Sequence, residues 1–196
     1  MTKNSIFSCI TLSIIGLALA GLSFNYPIET LRVNTEKSEV TWKGYKVTGE
    51  HSGTIAVSNG ELMFEDGKLT GGAFKIDMTS IKCTDLQGEW AGKLEGHLKS
   101  PDFFGVEKYP TANFEITKVA SRGMENEYKI TGNMTIKETT KEIRFNASVS
   151  KEKATADLQL DRTDFQVQYG SGSFFDNLGD KTIYDEFDLS ISFVLE

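Results

Sequence analysis

The chain has 196 residues, and its 21 Lys and Arg against 28 Asp and Glu give a formal net charge of −7 at pH 7. An acidic protein is repelled by nucleic acid and by anionic membranes, so both are excluded as expected partners. The length is that of one domain with one hydrophobic core.

The first twenty residues have the pattern of a secretory signal peptide. Lys3 supplies the positive charge, no charged residue interrupts Ile6 to Ala20, and Ala18-Leu19-Ala20 offers small residues to a signal peptidase. We expect residues 1–20 to be removed and residues 21–30 to lead into the folded domain. The alternative is a membrane anchor, but the apolar run is shorter than the roughly 18 to 20 residues that span a bilayer. We therefore predict export, without stable membrane insertion once the leader is removed.

Apolar and polar residues alternate along most of the remaining chain, which is typical of strands with one buried face. The alternation is clearest near the end, where Phe187, Leu189 and Ile191 are separated by Asp188 and Ser190. Eight segments follow this pattern and predict eight strands: 40–47, 61–64, 68–78, 113–120, 127–136, 142–150, 154–161 and 187–195.

Short polar connections indicate that neighbouring strands run antiparallel. Asp66-Gly67 is a strong signal for a two-residue hairpin, because both turn residues must adopt positive φ. Glu138 to Lys141 and Lys151 to Lys153 are equally short. An even set of strands in up-and-down order tends to close, which removes its edges. The sequence therefore predicts an all-β fold, an eight-stranded antiparallel barrel.

One segment, around residues 85–98, breaks the period of two and predicts a short helix. Thr84-Asp85-Leu86-Gln87 resembles a capping box at its start, and Pro101 ends it. Glycines recur every four residues on the face opposite the apolar one, which indicates either close packing against the barrel or a mobile lid over its mouth. The apolar stripe consists of Leu86, Trp90, Leu94 and Leu98, and the glycines are Gly88, Gly92 and Gly96.

Side chains with the chemistry of catalysis or metal binding are few. Cys83 is the only cysteine after the leader, so no disulfide forms within the chain, and we interpret it as a buried small residue rather than a reactive thiol. His51 and His97 are the only histidines and lack metal-motif spacing, so no metal site is predicted. Phe174 and Phe175 lie in an irregular stretch and are expected to fold back onto the barrel rim.

Residues 31–196 resemble the YceI-like family, the lipocalin-like polyisoprenoid-binding proteins that bacteria export. Four segments in the same order carry the resemblance: His97 to Phe104 with Glu107 to Phe114, Ile130 to Lys137, Asp161 to Phe165, and Leu178-Gly179-Asp180. The resemblance implies a lipocalin-like barrel whose apolar pore holds a long isoprenoid, either a polyprenyl chain or the tail of a quinone. It also implies a periplasmic or secreted location. No other cofactor is expected, and a homodimer is left open.

On this basis we predict the residues of the ligand site. The head group, if the ligand has one, would meet Tyr45, Lys46 and His51 at one end of the first strand, where family members often have a His. A carrier or reservoir that makes and breaks no bond is the leading prediction, and an enzyme that acts on a lipid in the same cavity is the alternative. The predicted pore lining is Trp42, Phe74, Ile76, Phe114, Phe145 and Phe187 from strands, with Trp90 and Leu94 from the helix.

Overall fold

The computed structural model describes residues 27–196, so the predicted leader lies outside the described residues. In chain order the elements are β1 (Glu29–Arg32), β2 (Glu39–Lys46), β3 (Gly49–Glu65), β4 (Lys68–Cys83), α1 (Gly88–Lys99), β5 (Thr111–Ser121), β6 (Glu127–Ile136), β7 (Thr139–Val149), β8 (Lys153–Asp161), two 3₁₀ turns (Arg162–Phe165 and Gly179–Lys181) and β9 (Ile183–Val194).

Eight of the strands close into an antiparallel barrel, which confirms the predicted fold class. β2 to β9 follow one another around the sheet in chain order, and β2 pairs with β9 to close it. In this last junction Val40 lies opposite Ile191, and Trp42 lies opposite Leu189. Closure leaves neither β2 nor β9 as an open edge of the sheet.

The short strand β1 is an addition that the sequence pattern does not predict. Leu31 of β1 lies opposite Leu62 in the second half of β3, whereas β2 pairs with the first half of β3. Arg32 also exchanges two backbone hydrogen bonds with Glu196, at 2.8 and 2.9 Å. Thus β1 continues the course of β2 along β3, and the barrel keeps eight positions around its wall.

The hairpin predicted at Asp66-Gly67 is confirmed, but the strand before it is much longer than predicted. Asp66 and Gly67 have φ angles of 50° and 71°, as a tight hairpin turn requires. β3 begins at Gly49 instead of Glu61. Gly53 in its first half and Gly60 further along stand where alternation would place apolar side chains: a Cβ at Gly53 would lie 2.5 Å from Trp42 Cζ2, and one at Gly60 would lie 2.7 Å from Phe74 Cδ1. Large rings from the neighbouring strands take this space.

The helix α1 is confirmed in type, but its predicted capping box and the close-packing alternative for its glycines are wrong. It begins at Gly88, and the preceding Gln87 makes no side-chain capping hydrogen bond, so the capping box is absent. None of its residues is buried. A Cβ at Gly92 or Gly96 would meet nothing within 4 Å, so the glycine face is not packed closely against the barrel. Within residues 27–196, no helix has the length and apolar character needed to cross a membrane.

A glycine in the barrel wall and one on the open helix face are predicted to respond oppositely to alanine. In Gly132→Ala the new Cβ would lie 2.4 Å from Phe114 Cζ and 2.5 Å from the Glu115 carbonyl oxygen. We expect a loss of about 1–3 kcal/mol in the free energy of unfolding, as for other overpacked cores. Gly92→Ala should instead add up to about 1 kcal/mol through helix propensity. Urea denaturation measures both, and a Gly132→Ala variant as stable as the parent would contradict the packing described.

Candidate functional site

The barrel encloses an apolar cavity of about 570 Å³. All eight strands of the barrel wall contribute to its lining, together with the second half of α1. Alternation explains the lining, since successive side chains of a strand point to opposite faces. On β9, for example, Phe187, Leu189 and Ile191 face the cavity. The volume lies within the roughly 300–1,000 Å³ typical of small-molecule sites.

The structure brings seven of the eight predicted pore residues together. Three of the rings pack against one another: the centroid of Phe74 is 6.3 Å from that of Phe114, which is 5.6 Å from that of Phe145. Trp42 has its indole nitrogen satisfied by the carbonyl oxygen of Thr54 at 3.2 Å. The seven residues that line the cavity are Trp42, Phe74, Ile76, Leu94, Phe114, Phe145 and Phe187.

The prediction that Trp90 lines the pore is wrong. Its side chain is 70% exposed, and Lys93 Nζ lies 4.9 Å from the centre of its ring. Residues spaced by four drift about 40° per step around a helix, so Trp90 is turned well away from Leu98. The cavity is instead closed on this side by Leu94, His97 and Leu98.

One end of the cavity, which we call the mouth, carries the polar side chains. The ends of β2 and β9 meet there, where Lys46 lies opposite Ile183. Only three members of this group, Tyr45, Lys46 and His51, were predicted from the sequence. The polar residues of the mouth are Tyr45, Lys46, His51, His97, Arg162, Tyr169, Asp180, Lys181, Tyr184 and Glu186.

A hydrogen-bond network orients His51 at the mouth. His51 Nδ1 lies 2.9 Å from Asp85 Oδ2, and the other carboxylate oxygen of Asp85 accepts hydrogen bonds from the Ser52 amide (3.0 Å) and the Cys83 thiol (3.2 Å). Burial acts to raise the pKa of Asp85, but the bonds from Ser52, His51 and Cys83 outweigh it and lower that pKa to about 2. Asp85 is therefore an anion at neutral pH, and it fixes the His51 ring.

Cys83 is a buried residue, as predicted. It is 4% exposed, its backbone amide donates to Glu95 Oε1 at 2.9 Å, and burial is the main cause that raises the pKa of its thiol. A thiol in that state is a poor nucleophile, because the thiolate is the reactive form. Among residues 27–196, no group of three or more His, Cys, Asp and Glu side chains is placed to hold a metal ion.

Tyr45 and Lys46 lie side by side in sequence but have different surroundings. The Tyr45 hydroxyl donates to Asp188, which lies on the outer face because its neighbours Phe187 and Leu189 face the cavity. That hydrogen bond is the main cause that raises the pKa of Tyr45. The outward bond ties up the hydroxyl, so Lys46 and His51 are the better placed of the three predicted head-group residues.

Arg162 is a buried cation that holds the mouth together, and no role at the site was predicted for it from the sequence. It is 3% exposed and donates to the carbonyl oxygens of Val167 (2.6 Å), Ile183 (2.9 Å) and Tyr184 (3.0 Å). Its guanidinium also lies 3.3 Å from Asp185 Oδ1. Burial lowers its pKa, against the attraction of Asp185. The one sequence feature that pointed to Arg162 was its place in the Asp161 to Phe165 motif, which carries part of the family resemblance.

The expected contact of Phe174 and Phe175 with the rim stays a prediction. Their side chains are 49% and 51% exposed, and neither lines the cavity. A turn explains their position, because both of their amides donate to the Ser171 carbonyl oxygen, at 3.2 and 3.0 Å.

A closed antiparallel barrel around an apolar cavity with a polar mouth defines a class of binding proteins. A family model described as the YceI-like domain matches residues 31–195. The protein therefore belongs to the YceI-like family, as its sequence motifs indicated.

Curated relatives of known sequence match this chain over part of their length. A UPF0312 protein of Photorhabdus laumondii is 37% identical over 78 residues, which is 40% of this chain and 38% of that protein. A UPF0312 protein of Azotobacter vinelandii is 31% identical over 91 residues, which is 46% of this chain and 45% of that protein. The chain thus spans less than half the length of either relative in these matches.

Solved structures share the fold over nearly their whole length. BcnA of Burkholderia cenocepacia has a TM-score of 0.67 at 24% identity, covering 83% of this chain and 98% of BcnA. A polyisoprenoid-binding domain from Saccharophagus degradans has a TM-score of 0.59 at 11% identity, covering 85% of this chain and 97% of that domain. At identities this low, the similarity of these structures establishes a common fold and nothing more.

The Asp85 network predicts a pH-dependent stability. Because the folded pKa of about 2 lies below the ordinary value of 3.8, the Asp85 carboxylate stabilises the fold above pH 3.8 and loses that contribution as the pH falls through 2. Asp85→Asn should therefore lower the free energy of unfolding by about 1–2 kcal/mol at neutral pH, after allowance for solvent screening. Below the folded pKa of about 2 the same substitution should change it by almost nothing. Urea denaturation across this range measures the difference.

The control for that experiment is Asp176→Asn, which changes an exposed carboxylate in the segment before β9. It should alter the free energy of unfolding by less than about 0.5 kcal/mol. An Asp85→Asn cost that stays constant down to the lowest pH would show that the carboxylate's charge contributes nothing.

Proposed function

We propose that the protein is an exported lipid-binding protein that holds one long isoprenoid, a polyprenyl chain or the tail of a quinone, in the barrel as a carrier or reservoir. The observation that carries the proposal is the apolar cavity of about 570 Å³ inside the barrel. A similar barrel from Saccharophagus degradans is described as a polyisoprenoid-binding domain, which supports the same ligand class. The secretory pattern of residues 1–20 supports export.

The energetics favour an isoprenoid tail as the main source of affinity. Each buried CH₂ group contributes about 0.8 kcal/mol, so a tail of tens of carbons has more than enough apolar surface for tight binding. Non-covalent affinity saturates near roughly 18 to 21 kcal/mol, and ordering a flexible tail offsets much of the gain. Binding then depends on how much of the tail the cavity encloses, and the protein needs no strong contact with the head group.

The polar mouth gives the ligand an orientation. Apolar side chains line the cavity below, whereas Lys46, His51 and Lys181 are at the mouth. A tail placed in the cavity leaves its polar end among these groups, where water and charges are available. The opposite orientation would bury a polar head without partners, which costs several kcal/mol.

The second candidate function is an enzyme that acts on a lipid in the same cavity. It is favoured by one observation, the His51 ring fixed by ionised Asp85 at the mouth, because a carboxylate that orients a histidine is a feature of general bases. Chemical change in an added isoprenoid, lost in His51→Gln, would support the enzyme. Recovery of the same lipid unchanged supports the carrier.

Filling the cavity tests the proposed function. Ala156 lines the cavity opposite Ile191, and Ala156→Phe places a ring in the space assigned to the tail. We expect uptake of a polyprenol from neutral vesicles to fall by about tenfold or more, equivalent to about 1.4 kcal/mol of binding free energy. Uptake is measured by separating protein from vesicles and quantifying the lipid.

The matched control for this experiment is Ser190→Phe, which adds a similar side chain next to Ile191 but at an exposed position. It should leave uptake unchanged. Equal uptake by the Ala156→Phe variant, with folding confirmed by circular dichroism, would contradict a tail inside the barrel.

The head-group prediction is tested with two lysines of β2. Lys46 is at the mouth, whereas Lys43 pairs with Glu50 at 2.7 Å, away from the cavity. Lys46→Met should weaken binding of a polyprenyl phosphate by about tenfold and leave binding of the uncharged polyprenol unchanged, since only the phosphate gains from the ammonium group. Lys43→Met is the control and should change neither affinity. An equal loss for both lipids would assign Lys46 to the tail instead.

A further inference from the structure

The barrel wall is incomplete between two neighbouring strands. β7 and β8 pair only where Ala147, Ser148 and Val149 lie opposite Ala156, Thr155 and Ala154. The remainder of β7 (139–146) pairs with β6 alone, and the remainder of β8 (157–161) pairs with β9 alone. By contrast, the ladder between β6 and β7 runs from Ile136 opposite Thr139 to Glu127 opposite Ser148.

The unpaired edges border an opening that we call the β7–β8 cleft. It has a volume of about 430 Å³ and is lined from both strands and from the 3₁₀ turn Arg162–Phe165. The short β7–β8 ladder bounds one end and the turn bounds the other, where Phe165 is 1% exposed. An ion pair of 3.1 Å between Lys141 and Asp164 joins β7 to the turn at that end. The cleft is therefore an opening that is bounded at both ends, not a strand end that has lost its pairing.

The cleft and the central cavity share part of their lining. Ile143 and Phe145 of β7, with Leu158 and Leu160 of β8, border both spaces. A single layer of apolar side chains thus lies between the lipid cavity and the outside of the barrel. Three of the four, Ile143, Phe145 and Leu158, are only half-buried.

We propose that the β7–β8 cleft is a side opening through which the isoprenoid tail enters and leaves the barrel, an inference that rests on the proposed function. Where the wall is paired throughout, as between β6 and β7, a passage would break ladder hydrogen bonds, each with a net contribution of about 1 kcal/mol. The β4–β5 ladder is also short, from Ala73 opposite Glu115 to Asp77 opposite Thr111, but of these two places only the β7–β8 gap opens into a cleft that shares four lining residues with the central cavity. At the cleft, movement of four side chains opens the way. The cleft ends at the turn that begins with Arg162, which also lines the mouth, so a tail moves sideways into the cavity while its polar head stays at the mouth.

A cross-link across the cleft tests this route. If the β7–β8 register is continued beyond Ala147 and Ala156, Arg144 lies opposite Gln159, and both are exposed. Arg144→Cys/Gln159→Cys, joined by a short bismaleimide, ties the two edges together on the outer face. Cys83 is buried and stays unreacted, so it is retained. The measurement is the rate of polyprenol transfer from vesicles into the full chain, with the final amount bound recorded separately.

The control is Ala120→Cys/Lys129→Cys, joined by the same reagent across the β5–β6 ladder, where both residues are exposed and neither lines the cavity or the cleft. We expect the cleft cross-link to slow transfer by at least about tenfold, a barrier increase of about 1.4 kcal/mol, with the final amount unchanged. The control cross-link should leave the rate unaltered. An unchanged rate in the cleft variant would overturn the side opening and leave the proposed function standing. Failure of the parent protein to bind polyprenol at all would overturn both.

Discussion

The backbone pairing of β2 with β9 closes the sheet, and the interior of the molecule depends on that closure. Once Trp42 lies opposite Leu189, every inward side chain faces another strand across the barrel instead of water. Period-two alternation then fills the interior with apolar groups from all eight strands and leaves the charged residues outside or at the mouth. The cavity is what remains when these side chains are too few, or too small, to fill the enclosed space.

Glycines in the wall decide where that space lies. Gly53, Gly60 and Gly132 each lie where a neighbouring ring passes over the strand, and none has room for a Cβ. The rings of Trp42, Phe74 and Phe114 therefore occupy the space above these glycines, and they also line the cavity. The glycines of α1 differ, because those at Gly92 and Gly96 face open space. The same residue type thus has a packing role in the barrel and none on the helix face.

The charges at the mouth are fixed by contacts that join distant parts of the chain. Arg162 binds three carbonyl oxygens and lies against Asp185, which ties the turn after β8 to the start of β9. Asp85 ties the segment before α1 to His51 in β3. Both anchors lie at the same end of the barrel, so the polar groups there have defined positions, while the lining below them is apolar apart from Thr155. That asymmetry is what assigns a direction to a bound lipid.

Most of the fold was predictable because it follows from local patterns of residues in the sequence. Alternation in β9 and the Asp66-Gly67 turn depend on neighbouring residues alone. The first half of β3 was missed because the polar His51 and Gly53, which has no side chain, stand at inward positions there. Trp90 was misplaced because an apolar stripe shows which face of the helix is apolar, but it does not show how much of that face the barrel covers.

The features that set the candidate site depend on distant contacts and leave little trace in the sequence. His51 and Asp85 are 34 residues apart. The β7–β8 cleft is equally hidden, since both strands alternate normally and only their separation in space leaves edges unpaired. The seven correctly placed lining residues were found because inward position follows from alternation.

The most direct test of an isoprenoid-binding barrel is mass spectrometry of the organic extract of the purified protein, with the lipid quantified against the protein. A cavity that holds one tail predicts a long isoprenoid at close to one molecule per chain, and its mass identifies the chain length and the head group. A protein that yields no lipid, and that also takes up no polyprenol or isoprenoid quinone from vesicles, would contradict the assignment of the cavity to this ligand class.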